Sequence, residues 1–123
     1  MKTEENNIII DKTFAFAVRI VNLYKYLTNN ATNKEFVLSK QLLRSGTSIG
    51  ANIEEAIGAA STADFISKVT IAYKEARESK YWIRLLNKTG YLSDVEINSL
   101  INDLEEICSI IAKIQITTKK RNL

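Results

Sequence analysis

FISKVTIAYKEARESKYWIRLL, residues 65–86, sets apolar or small side chains at Phe65, Val69, Ala72, Ala76, Ser79, Ile83 and Leu86. The steps between them alternate four and three without a fault. An α-helix turns once in 3.6 residues, so such alternation keeps all of these positions in one stripe. Its mean period of 3.5 is that of helices wound left-handedly about one another. The stretch predicts a long helix that lends one face to a bundle. Ser61 with Asp64 resembles a capping box with a shortened acid, and Gly90 is a residue type found just past helix ends.

The same alternation recurs downstream at Ile97, Leu100, Leu104, Ile107, Ile111 and Ile114, behind a capping box of Ser93 and Glu96. Asp94 and Glu96 at its front and Lys113, Lys119 and Lys120 at its end suit the helix dipole. Thr117 to Leu123 are expected to fray. Upstream, a helix is predicted from about Glu35 to Ala59 on Leu38, Leu42, Ser45, Ile49, Asn52 and Ala56. Its middle, Ser45 to Gly50, has poor helix propensity, but the periodicity runs through it. Gly46 and Gly50, four apart, leave one helix face bare for a close neighbour or a bend. The first helix is placed from about Asp11 to Thr28, with Phe14, Val18, Val21 and Tyr24 on one face and a polar break at Asn29 to Asn33. Four such rods with short links predict an all-α, antiparallel up-down-up-down four-helix bundle. A single domain is expected over residues 1–123, with an ordered core of about 10–116.

Composition narrows the function classes. The chain has 46% hydrophobic and 25% charged residues, which is ordinary for a globular protein. One cysteine, Cys108, excludes an internal disulfide and fits a reducing compartment. No stretch approaches a membrane span and the N-terminus lacks a secretory pattern, so the expected setting is cytoplasmic. There is no proline to force a helix break and no histidine. The missing histidine removes Ser-His and Cys-His nucleophile pairs and the usual nitrogen ligand for metals. The carboxylates Glu54, Glu55, Glu75, Glu78, Glu105 and Glu106 therefore read as solvated or salt-bridged groups, and Cys108 as an inert thiol. The expected reading is non-enzymatic, with no cofactor, no metal, no small-molecule substrate and no membrane partner.

Two surfaces stand out. Lys74, Arg77, Lys80, Arg84 and Lys88 lie within roughly 60° of one line on the third helix, turned away from its apolar seam. With Arg44, and with Lys113, Lys119, Lys120 and Arg121, they form a candidate surface for phosphates; a solvated, partly salt-bridged face is the plainer alternative. The second surface is apolar. The fourth helix carries more apolar width than one stripe requires, including Ile101 and Ile110, and the third adds Tyr73, Tyr81 and Trp82. These residues are a candidate interface for a homo-oligomer.

Two motifs then resemble a family. Leu42 to Ala56, reading LLRSGTSIGANIEEA, matches a signature of Arg-Ser, Ser-Ile-Pro-Ala-Asn-Ile and an acid. Lys74 to Leu86, closing with Gly90-Tyr91-Leu92, matches its third helix. The family is that of four-helix-bundle proteins encoded in intervening sequences of bacterial 23S rRNA genes; accessory variability proteins of diversity-generating retroelements are similar. The resemblance implies an antiparallel bundle assembled as a homopentamer, without known enzymatic activity. The retroelement relatives bind a reverse transcriptase and nucleic acid, which makes these the partners the resemblance suggests. Gly50 stands where the family often has proline and Ala56 where it often has glycine. The functional expectation is a non-enzymatic, homo-oligomeric bundle that binds RNA, DNA or a nucleic-acid enzyme through its basic surface. Its rival is a purely structural or protein-binding scaffold.

Overall fold

Helical periodicity becomes four helices: α1 (Glu4–Thr28), α2 (Leu38–Ile57), α3 (Thr62–Lys88) and α4 (Asp94–Arg121). The structure, a computed structural model, describes residues 4–29 and 34–121, and no strand occurs among them. Every pair of neighbouring helices is antiparallel, as the cross-contacts show. Gly46 and Gly50 of α2 meet Ile20 and Thr13 of α1, in reversed order along the chain. Arg44 faces Glu75 and Glu78 while Lys68 faces Glu55, which fixes α2 against α3. Lys80–Glu105 and Thr70–Gln115 do the same for α3 and α4, and Lys12–Glu106 with Arg19–Asp103 for α1 and α4. The bundle is thus up-down-up-down. α2 and α3 pack most intimately; α1 and α4 touch least.

The core is the stripe the spacing predicts on α3 and α4. Phe65, Val69, Ala72, Ala76, Ser79, Ile83 and Leu86 are all buried, as are Leu100, Leu104, Ile107, Ile111 and Ile114, while Ile97 at the head of the α4 stripe is half-buried. α2 runs unbroken through Ser45–Gly50 because tertiary packing outweighs its weak propensity. There a Cβ on Gly46 would stand 2.9 Å from Ile20 Cγ1 and Cγ2, and one on Gly50 would stand 3.3 Å from the Thr13 carbonyl oxygen. On the opposite side the Ser45 and Ser79 hydroxyls meet at 2.8 Å, both fully buried. Ser79 also donates to the Glu75 carbonyl, so Ser45 supplies the proton of the pair and both groups are satisfied. Small side chains thus bring α2 close to both neighbours at once.

The first helix departs from expectation. Phe14, Val18 and Val21 are 66%, 46% and 37% exposed, and the buried face is instead Ile9, Thr13, Phe16, Ile20 and Leu27. The two sets lie roughly 140° apart around α1, and both alternate by threes and fours. Thr13 disguises the buried set, because its hydroxyl is satisfied internally by the Ile9 carbonyl at 2.7 Å. The helix also starts before Asp11, since Asn6 and Ile9 are buried against the bundle. At the other end α4 continues to Arg121 rather than fraying from Thr117: Thr118 is buried, and it lines a depression with Phe65 and Ala56 at the α2–α3 corner. Asn30 to Asn33 of the expected polar break lie outside the described residues.

The helix ends follow the local chemistry. Ser61 Oγ accepts from the Asp64 N–H, and Ser93 and Glu96 form the reciprocal box at 3.0 and 3.1 Å. Gly90 takes φ +92°, with Gly90 N–H on Asn87 O and Tyr91 N–H on Leu86 O, the double closure of a left-handed helix stop. The α2 start is different. Helix geometry begins at Leu38 rather than Glu35, because Glu35 serves as its cap. Its carboxylate accepts the N–H groups of Val37, Leu38 and Ser39 at 2.7–3.1 Å, and its own N–H donates to Leu27 O. Burial works to raise the Glu35 pKa, but these donors outweigh it and hold the group below its ordinary value of 4.5. The contribution is therefore complete above pH 4.5 and is lost as pH falls through the lowered folded value. Glu35→Gln is expected to cost about 1–2 kcal/mol at pH 7. The gap from wild type should narrow on acidification, read as urea midpoints at several pH values. A gap that is independent of pH would remove the ionised cap.

Candidate nucleic-acid interface

The α3 stripe that points away from the core carries five basic residues, with Tyr81 among them. Lys74, Arg77, Lys80, Arg84 and Lys88 are all exposed. Core contacts fix their direction: Ala76, Ser79, Ile83 and Leu86 are clamped inward, so residues between them must project outward. Lys80 leans to α4, with Nζ 3.7 Å from Glu105. Lys74, Arg77, Arg84 and Lys88 make no ion pair with any described residue. Four unpaired cations on one helix face form a positive ridge that phosphates would neutralise.

Arg44 does not join the ridge. Its guanidinium lies on the far flank of α3, bound to Glu78 and 3.4 Å from Glu75. Glu78 is held twice: its Oε2 also accepts the Trp82 indole N–H at 2.9 Å. That bond first, and Arg44 second, against the opposing effect of burial, hold Glu78 below the ordinary carboxylate range. Trp82 in turn meets the Tyr81 ring edge-on, with centroids 5.0 Å apart at 75°.

Of the other residues considered for a surface role, Tyr73, Trp82, Ile101 and Ile110 are half-buried and pack on the subunit's own core. Tyr81 is exposed. The apolar surface that the sequence reading missed as surface is on α1, at Phe14, Val18 and Val21. The signal for it was there, a second threes-and-fours stripe on the same helix, but one stripe alone is taken for the buried side.

Between α3 and α4 runs a groove of about 400 Å³. Its floor is Ala76, Leu104 and Cys108, and Arg77, Lys80 and Tyr81 stand along its wall. Burial pushes the Cys108 thiol up, against the weaker pull of Arg77 and Lys80, which favours its protonated form.

A family model described as 23S rRNA-intervening sequence protein matches residues 5–113. The chain belongs to that family. A member of the S23 ribosomal protein family from Bacteroides thetaiotaomicron, a crystal structure described as having unknown function, superposes with a TM-score of 0.87. It is 54% identical and is covered over 97% of its length by 90% of this chain. No protein of curated function matches the sequence. The span matched by the family model includes the whole of α2 and α3. No described helix is long and apolar enough to cross a membrane.

Proposed function

We infer that this member of the 23S rRNA-intervening sequence family is a non-enzymatic, homo-oligomeric protein that binds nucleic acid through the α3 ridge. The observation that carries it is the set of cations Lys74, Arg77, Arg84 and Lys88 on one exposed helix face, with no ion-pair partner among the described residues. The neighbouring acids lie on the flanks, where Glu75 and Glu78 pair with Arg44 and Glu105 with Lys80. Self-association is supported by the exposed apolar stripe of α1, and a pentamer by the family resemblance. A repeated subunit would repeat the ridge.

The test is salt dependence. Replacing the four cations by glutamine is expected to weaken oligonucleotide binding about 10²- to 10³-fold at about 0.1 M salt. The slope of log affinity against log salt should also flatten by about 0.7 per charge for a single strand. Helicity should not change, since none of the four touches the core. Absence of binding to any nucleic acid at low salt would remove the reading. The second reading, a scaffold that only self-assembles, is favoured by the same α1 stripe; it predicts an oligomer indifferent to these substitutions and to nucleic acid alike.

A further inference from the structure

Tyr81 sits in the middle of the cationic ridge, between Arg77 one turn before and Arg84 one turn after, with 54% of its surface exposed. An exposed aromatic ordinarily gains from turning down onto apolar neighbours. A relay of contacts reaches this ring. Arg44 grips Glu78, Glu78 binds the Trp82 indole N–H, and the Trp82 ring braces Tyr81 edge-to-face. Only the last of these contacts is made to the Tyr81 ring itself.

The ring also divides two depressions. On one side is the groove of about 400 Å³ between α3 and α4, lined by the cations Arg77, Lys80 and Arg84 and by Glu105, which pairs with Lys80. On the other is one of about 250 Å³ over Leu85 and Ile97, whose cations are Arg84 and Lys88. Tyr81 and Arg84 line both. Each depression is therefore lined by apolar side chains, by the same Tyr81 ring and by at least two positive charges.

We propose that Tyr81 is a stacking platform for single-stranded nucleic acid, with unpaired bases lodged in the depressions on either side of it and the phosphates on Arg77, Arg84 and Lys88. This rests on the nucleic-acid reading above and adds to it the strandedness of the ligand. Aromatic rings set among cations recognise single strands because every free base has a face to stack. A duplex hides those faces inside its own stack and offers the ridge only its phosphates. Arg44, in this arrangement, is a positioning residue: it acts through Glu78 and Trp82 and touches no phosphate.

The experiment uses the full chain and 12-nucleotide oligo(U), oligo(dT) and a mixed-sequence duplex of equal length. Trp82 is the sole tryptophan, so its fluorescence reports on Tyr81's surroundings directly, beside an anisotropy readout. Single strands are expected to bind more tightly than the duplex and to change Trp82 emission in step with anisotropy. Tyr81→Ala should weaken single-strand binding about 5- to 150-fold with the salt slope unchanged, and Tyr81→Phe should retain it. Arg44→Ala should weaken binding several-fold, also without flattening the slope; a phosphate contact would flatten it by about 0.7. Circular dichroism checks that each variant is folded, and Tyr81→Phe guards against a loss due to packing. Equal binding of duplex and strand, or a Tyr81→Ala protein as strong as wild type, overturns the platform while leaving the electrostatic ridge intact. Failure of every nucleic acid to bind takes both.

Discussion

Replacing Gly50 by valine is expected to destabilise the bundle by about 3 kcal/mol or more, a large share of the roughly 5–15 kcal/mol that folded domains possess. A Cβ there would stand 3.3 Å from the Thr13 carbonyl oxygen and 3.4 Å from its carbon, and valine adds two methyl groups beyond that point. The obstacle is backbone, so no rotamer change relieves it; α1 must move away from α2. Gly46 meets a different neighbour, the Cγ1 and Cγ2 atoms of Ile20 at 2.9 Å. Gly46→Ala should therefore cost about 1–2 kcal/mol net, overpacking partly offset by the better helix propensity of alanine. Ile20→Ala alone should cost about 2–5 kcal/mol through the cavity it leaves. Together they should cost less than their sum by about 1–3 kcal/mol, because the new methyl enters the vacated space. No truncation at Thr13 should rescue Gly50→Val in the same way. Urea midpoints followed by circular dichroism measure all of these. Additive behaviour at 46 and 20, or a valine at 50 that costs under about 1 kcal/mol, would mean that the helices are not in such close register.

What could be read from the sequence divides along physical lines. α3 and α4 were legible because each has one apolar stripe and an outer face of charge, so the spacing admits a single answer. Their caps were legible because Ser61, Ser93 and Gly90 act within a few residues of themselves, and local chemistry is local in sequence. α2 was legible in spite of its glycines because its periodicity survives them. α1 was not, because it is apolar on two sides and Thr13 interrupts the stripe that is truly buried. Burial is decided by neighbours, and periodicity alone ranks two stripes equally. Glu35 was missed as a cap because the carboxylate reaches forward from outside the helix, a pattern with no Ser or Thr to announce it. On the candidate site, the direction of Lys74, Arg77, Arg84 and Lys88 followed from the seam opposite them. The fate of Arg44 did not: which acids it meets depends on how α2 leans on α3, and that depends on Ser45, Gly46 and Ser79 being small.

The same two-sided helix supplies the prediction with the widest reach. Aspartate at Phe14 and Val18 faces water within one subunit, so it should leave each bundle's helicity unchanged. In an oligomer built on that stripe it would place carboxylates in an apolar interface, at a penalty of several kcal/mol per ion. It would also forgo about 1.5–3 kcal/mol for each large side chain no longer buried between subunits. The Phe14→Asp, Val18→Asp protein is therefore expected to run as a monomer in light-scattering mass measurements. Binding to a 12-nucleotide strand, which one ridge can span, should change little. Binding to a strand several times longer should fall by about 10²–10⁴-fold, because that strand gains its affinity by engaging several ridges of one assembly. The comparison separates three arrangements. An unchanged mass places the subunit contacts elsewhere than α1. A monomer that still prefers long strands means the ridges act independently. A monomer that loses the preference ties the apolar face of α1 to the basic face of α3: the first determines how many copies of the second a single strand can meet.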